Sequence, residues 1–249
     1  TVNAQFLGGP VAVSIASQRD GAIAVNARGT LSAASLQTAL EQPLLRQLSG
    51  TTAWTSSMLF RRRGASILVE SGLQGIVSTL PAPLAKAGAD VLPLRFEHTV
   101  VTEEQSGRWS GPPMTDRSTL DLGKLVRIEV QRRREGGKMV VERGAVGLNE
   151  APRLPERGIV LNGNASELDL DQWLPALAGS GAAPLPLTAL NLQIGALDVY
   201  GKRINQVALR AGFQGSDWLA HVNARELAGD VRWRSQGKGR ISAQLSHFT

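Results

Sequence analysis

The sequence predicts a mainly β protein, a curved antiparallel sheet with a few short helices, and three observations lead there. Alternation with a two-residue period dominates: in Val126-Arg127-Ile128-Glu129-Val130-Gln131 the apolar and polar sides separate completely. Val11, Val13 and Ile15 do the same, as do Leu190, Leu192 and Ile194. Turn signals punctuate these runs at Asp20-Gly21, Arg63-Gly64, Gly136-Gly137, Tyr200-Gly201-Lys202, Gly215-Ser216-Asp217 and Gln236-Gly237-Lys238. Helical periodicity, by contrast, is confined to two short stretches.

Taken in order, residues 1–7 read as strand, followed by 11–15, 22–28, 54–60 and 66–70. Further strands are expected at 126–131, 139–143, 159–163, 190–199, 203–213, 218–223, 231–235 and 240–247. Within 190–199 the alternation breaks at Gly195-Ala196, because Leu197 and Val199 resume on the opposite parity, so a bulge is expected there. Ser32 caps a segment in which Leu36, Ala39 and Leu40 share a face until Pro43, with Leu44, Leu45 and Leu48 as another turn. A second helix around Asp171-Gln172-Trp173-Leu174 is limited by Pro175.

Both helices follow a strand and a small-residue break, Val25 to Gly29 in one case and Leu161 to Ala165 in the other, which reads as a repeat of sheet plus short helix. The corresponding division is 1–102 as a first β unit, 103–119 as a loop or arm, and 120–249 as a second β unit. Gly179-Ser180-Gly181-Ala182-Ala183-Pro184 reads as a flexible connection.

Apolar residues make up 42% of the 249, yet aromatics only 4%, so Leu, Val, Ile and Ala must fill any interior. Cysteine is absent, which removes disulfides, thiolate catalysis and zinc-thiolate sites together. No run approaches the roughly 18 apolar residues of a membrane span, and no signal peptide opens the chain. Since Thr1 is not an initiator, the chain reads as a soluble piece of a longer protein. A net formal charge of +6 favours anionic partners such as phospholipid headgroups, acidic glycans or nucleic acid.

A search for reactive groups returns little. His98, His221 and His247 have no ligand partners at metal spacing, and no nucleophile elbow, Walker loop, dinucleotide fingerprint or zincin motif occurs. Glu167, Asp169 and Asp171 put three carboxylates on one face of an extended strand, an arrangement that suits a divalent cation; the competing reading has Asp169 or Asp171 capping the second helix. No metal, cofactor or catalytic residue is therefore assigned. Arg61-Arg62-Arg63 and Arg132-Arg133-Arg134 adjoin turns and should project from hairpin ends, where guanidinium groups suit anionic headgroups or simply keep the tips solvated. Nucleic acid is the weaker partner, because few aromatics are present to stack bases.

The most informative stretch runs Ser71-Gly72-Leu73-Gln74-Gly75, then Leu80-Pro81-Ala82-Pro83-Leu84-Ala85-Lys86, then Pro93-Leu94. It resembles the YhdP family of the AsmA/TamB group of Gram-negative envelope proteins, in which Ser-x-Leu-x-Gly leads into Leu-Pro-x-Pro-Leu-x-Lys and Pro-Leu. The strand pair from Leu227 to Val231 and Gly239 to Leu245 is similar to that family as well. The resemblance implies a middle segment of a periplasmic protein whose parent is anchored in the inner membrane and contacts both membranes, or their proteins, at its ends. It further implies a long curved sheet with a hydrophobic concave side, and a part in moving phospholipid and maintaining the outer-membrane barrier.

On that reading the chain is not an enzyme. Its groove lining is expected to comprise Val126, Ile128, Val130, Leu190, Leu192, Ile194, Val231, Trp233, Ile241 and Leu245. The same residues would serve equally to close a packed core in a periplasmic spacer, and a glycan-binding envelope module is the remaining alternative.

Overall fold

A computed structural model describes residues 2–40, 42–62, 64–101, 115–178, 187–214, 217–234 and 240–248. The strands are β1 (Val2–Phe6), β2 (Gly9–Ser17), β3 (Ile23–Ser32), β4 (Leu48–Arg61), β5 (Gly64–Ser71), β6 (Ile76–Ser78), β7 (Leu94–Val101) and β8 (Thr115–Leu122). After them come β9 (Val126–Glu135), β10 (Lys138–Leu148), β11 (Gly158–Asp169), β12 (Leu187–Val199), β13 (Lys202–Gln214), β14 (Asp217–Asn223), β15 (Leu227–Arg234) and β16 (Arg240–Phe248). Helix α1 (Ala33–Leu40) follows β3, with a 3-10 turn at Pro43–Gln47, and α2 (Leu170–Ala178) follows β11.

All strands join one open, curved sheet in chain order, except that β6 branches off to pair with the start of β4. The pairing is antiparallel apart from β10 with β11 and β11 with β12, which run parallel. Parallel neighbours need the chain to travel back along the sheet. Residues 149–157 do so over the polar face, where Asn162 donates to Ala151 O at 3.4 Å and accepts from Arg153 N at the same distance. Gly147 makes that crossing possible, since a Cβ there would sit 2.3 Å from Glu150 O and 2.9 Å from Pro152 N.

The strand directions divide the connections between two rims. One rim holds α1, the 3-10 turn, the 72–93 segment, α2 and the Tyr200-Gly201 turn; the other holds the Asp20-Gly21, Arg61–Gly64 and Gly136-Gly137 turns. Ser32 caps α1 as expected, its Oγ accepting from Ser35 N at 3.1 Å. Asp169 does the same for α2 through Gln172 N at 3.0 Å. α2 continues through Pro175, which forfeits only one bond, to the carbonyl of Asp171.

β8 begins at Thr115, inside the stretch read as a loop, while 102–114 lies outside the described residues, as do 179–186, which include the whole Gly179 to Pro184 connection, and 235–239. The β7–β8 ladder carries the sheet without interruption past this point.

The expected phase break is a line of unpaired residues across three strands, Ser166, Gly195 and Gln206, with Gln206 at φ 54°. Beyond it Leu197 is buried with Leu192, Ile194 and Val207, on the side its alternation alone would deny it.

Among the described residues no large side chain is fully buried. The chain exposes 16111 Å², half again the about 10,700 Å² expected of a compact protein of this mass. Its apolar clusters are lateral, between neighbouring strands, and among the described residues no second sheet lies over them.

Candidate functional site

Cross-strand partners share a face, so the register assigns every side chain to one side of the sheet. One row runs Val2, Val13, Ala27, Ser56, Val69, Phe96, Leu120 and Ile128, and continues through Val146, Leu161, Leu190, Ala211, Ala220, Val231 and Ala243. It crosses every strand of the main path, and Ser56 is its only polar member. The neighbouring row on the opposite face reads Thr55, Glu70, Arg95, Asp121 and Arg127, alternating in charge from β5 to β9. Arg95 donates to Glu70 at 2.6 Å and also to Glu97, and both acceptors help keep its guanidinium protonated, Glu97 the more strongly. These pairs are exposed and contribute little beyond solvating that face.

The apolar side, termed the inner face, is the more buried one along β4. Among the described residues no layer covers it, yet its small residues Thr52 and Ser56 are buried, while Ala53, Thr55 and Ser57 on the other side of the same strand are exposed. Trp54 Nε1 and Ser56 Oγ on this inner face are buried without a hydrogen-bond partner among the described residues.

On β2, β4 and β13 the inner face is more buried towards the helix-bearing rim than towards the turn-bearing rim, whereas on β8 Asp116 is buried next to the turn-bearing rim. Along β2 the exposure rises from 6% at Val11 to 67% at Ile15, along β4 from 7% at Trp54 to 41% at Phe60, and along β13 from 2% at Val207 to 46% at Phe213. The result is a trough, deep at one rim and open along the other.

Two elements meet at the deep rim. Leu170 of α2 packs on the cluster of Leu192, Ile194, Leu197 and Val207. From the same helix Trp173 Nε1 donates to Ala82 O at 2.8 Å, within the Leu80-Pro81-Ala82-Pro83-Leu84 segment. Lys86 fastens the base of that segment, its buried Nζ donating to Ile76 O at 2.8 Å and Ala87 O at 3.0 Å.

Every residue of the expected lining lies on strands at inner-face positions. Val126, Leu192 and Ile194 are buried; Ile128, Val130, Leu190 and Val231 are half-buried; Trp233 and Leu245 are exposed. Ile241 pairs with Trp233 in register, and its side chain lies outside the described part.

The arginine clusters divide. Arg61 is at an outer-face position and Arg62 in the turn, both exposed, and Arg63 lies outside the described residues. Arg133 also faces outward, 3.0 Å from Glu135 and 3.9 Å from Glu142. Arg132 and Arg134 face the trough. Arg132 grips the buried Asp116 with two bonds, Nε to Oδ1 at 2.9 Å and Nη2 to Oδ2 at 2.6 Å, and the hydrogen bonds to Asp116 hold its pKa above the ordinary value. Beside them His98 Nδ1 and Ser118 Oγ are 2.9 Å apart on the same face. Sequence reasoning missed Asp116, His98 and Ser118 as trough residues, because only the register reveals that they face inward.

The three carboxylates expected to share one face have separate employments. Glu167 lies 3.8 Å from Arg203, Asp169 caps α2, and Asp171 accepts from Tyr200 N at 2.6 Å and Gly201 N at 2.8 Å. Among the described residues no group of three or more potential metal ligands occurs, and no helix is long and apolar enough to cross a membrane.

A depression of about 970 Å³ is lined mainly by outer-face residues such as Asn191, Arg210, His221, Asp230, Arg232 and Gln244, with Leu190 and Val231 of the inner-face row also at its wall. His221 and Asp230 are paired at 2.9 Å within it.

No match was found among curated proteins or among solved structures. The family model described as YhdP protein matches residues 1–249, the full length of the sequence. With its curved open sheet, its apolar inner face and this match from end to end, the chain belongs to the YhdP family.

Proposed function

We propose that this chain is a non-enzymatic segment of a bridge-like phospholipid transport protein of the cell envelope, whose trough shelters acyl chains between the inner and outer membranes. The reading includes a periplasmic location, a parent anchored in the inner membrane, and support of the outer-membrane permeability barrier. One observation carries it: a row of inner-face side chains, apolar at all but one position, passes through every strand of the main path and faces no second layer among the described residues.

Acyl chains in water cost about 0.8 kcal/mol per methylene, so a continuous dry surface removes a barrier of order 10 kcal/mol for a whole tail. Sliding along it needs an aliphatic lining without deep polar traps. A closed spacer would need its apolar residues interlocked, and the large exposed area speaks against that.

Delipidated protein mixed with a fluorescent phospholipid tests the proposal directly. The expected result is saturable uptake, with the lipid displaced by unlabelled phospholipid and not by soluble sugars. Failure to take up lipid removes the proposal. Displacement of a bound oligosaccharide instead would favour a second reading, in which the polar side chains of the outer depression, including Arg210, Asn191 and Gln244, hold a glycan.

A further inference from the structure

We infer that the open rim at β8–β10 carries a seat for the phosphate of a glycerophospholipid, formed by Arg132 and Arg134 with Asp116 as the group that positions Arg132. The inference rests on the trough being a lipid path.

The row at this level runs Phe60, Ala65, Val100, Asp116, Arg132 and Val141. It is apolar except for one ion pair. A sheet that needed only a greasy wall would lose little with valines at both positions, since a buried ion pair is a poor source of stability compared with packed hydrophobic side chains. The pair therefore calls for another role.

Its geometry supplies one. The Asp116 side chain is 5% exposed and that of Arg132 39%, so what the pair shows to the trough is guanidinium. Nε and one edge of Nη2 are committed to the carboxylate, which fixes the plane of the fork and leaves Nη1 and the second Nη2 hydrogen directed away from Asp116. Two residues along the strand, Arg134 faces the same side, bonded to Gly137 O at 3.3 Å and with no acidic partner among the described residues. Two guanidinium groups against one carboxylate leave a net positive charge. Their register partners Val141 and Met139 are apolar, and hydrogen bonds from guanidinium to an anion are charge-assisted.

Position agrees with chemistry. Along β9 the inner face is buried at Val126, by the other rim, and half-buried at Arg132 and Arg134, so a tail laid along it points its methyl end to Val126 and its headgroup towards the arginines. A phosphate diester at the mouth would accept bonds from both arginines while its glycerol esters rest near His98 and Ser118, one register level deeper.

The test compares fluorescent phosphatidylglycerol with fluorescent diacylglycerol, which shares the tails and lacks the phosphate, on the full chain. Two variants are used, Arg134→Gln and the double change Asp116→Asn with Arg132→Gln, the latter removing both charges so that no carboxylate is left buried and unpaired. Each should weaken phosphatidylglycerol binding about tenfold and leave diacylglycerol uptake unchanged. Excess inorganic phosphate should not displace the lipid; displacement would make free phosphate the ligand and overturn the headgroup assignment. Equal effects on the two lipids, or none, overturn the seat while leaving the trough intact. No uptake of either lipid by the unaltered protein overturns the trough itself and the seat with it.

Discussion

Trp173 and Ala82, 91 positions apart in sequence, are joined by an indole N–H donating to a backbone carbonyl at 2.8 Å. Their parent strands β11 and β5 are separated by five pairings in the sheet, about 24 Å if it were flat. The bond therefore exists only because α2 and the Leu80–Leu84 segment reach towards each other along the deep rim, above the ends of β7 to β10. It gives the motif around Ala82 a physical task, which is to tie together two distant parts of one wall.

Trp173→Phe keeps the ring and deletes the donor. The expected loss is about 1 kcal/mol, as for a single neutral hydrogen bond. Amide exchange should rise locally in 80–86 and in α2, with the centre of the sheet unaffected. Unchanged exchange in 80–86 would show that the two elements hold their places independently.

Apolar positions of the trough differ in what an inserted charge does to them. At Ile194, 4% exposed and packed with Leu192, Leu197 and Val207, an Asp substitution should cost at least about 3 kcal/mol and unfold much of the chain. At Phe213 on the open side, Phe213→Asp should leave the denaturation midpoint nearly unchanged and reduce phospholipid uptake. Chemical denaturation and uptake, measured on both variants, check the contrast. Full uptake by a folded Phe213→Asp protein would take that side of the trough out of the lipid path.

Gly195 marks the kink at which Ser166 and Gln206 also leave the ladder. An added Cβ would lie 2.5 Å from Ser166 O, a backbone atom with no freedom to turn aside. Gly195→Ala should therefore destabilise the chain by about 1–3 kcal/mol, seen as a lower midpoint with an unchanged denaturant slope. A neutral result would mean that the kink relaxes without loss.

How much of this could be read from the sequence depended on which way polar residues faced. Val126 to Gln131 gave up both faces of the first half of β9 because every inward position in that stretch is apolar. β8 stayed partly hidden, because Asp116 and Ser118 occupy inward positions and erase the alternation. The same fact divided the Arg132-Arg133-Arg134 run between two faces, which a strand must do to three consecutive residues. The parallel pairing of β11 could not be foreseen, since it depends on residues 149–157 crossing the outer face, and a contact of that kind leaves no periodic trace. The clasp of Trp173 on Ala82 is equally silent, because its acceptor is backbone.

Acid should loosen the β12–β15 region in a defined direction. Glu226 accepts from Asn205 Nδ2 at 2.6 Å and from Asn205 N at 2.7 Å, and these bonds, the side-chain one foremost, lower its pKa from the ordinary 4.5. Asp198 is lowered likewise, chiefly by its hydrogen bonds from Arg203. A carboxylate whose folded pKa lies below its unfolded value binds fewer protons in the native state, so its contribution is complete above the unfolded pKa and is lost as pH falls through the folded one. Stability should thus be flat at neutral pH and decline below about pH 4.5, with Asn205 losing amide protection early. Glu226→Gln keeps an acceptor and removes the titration, so it should flatten part of that decline. An acid profile identical to that of the unaltered chain would place the pH sensitivity in other carboxylates.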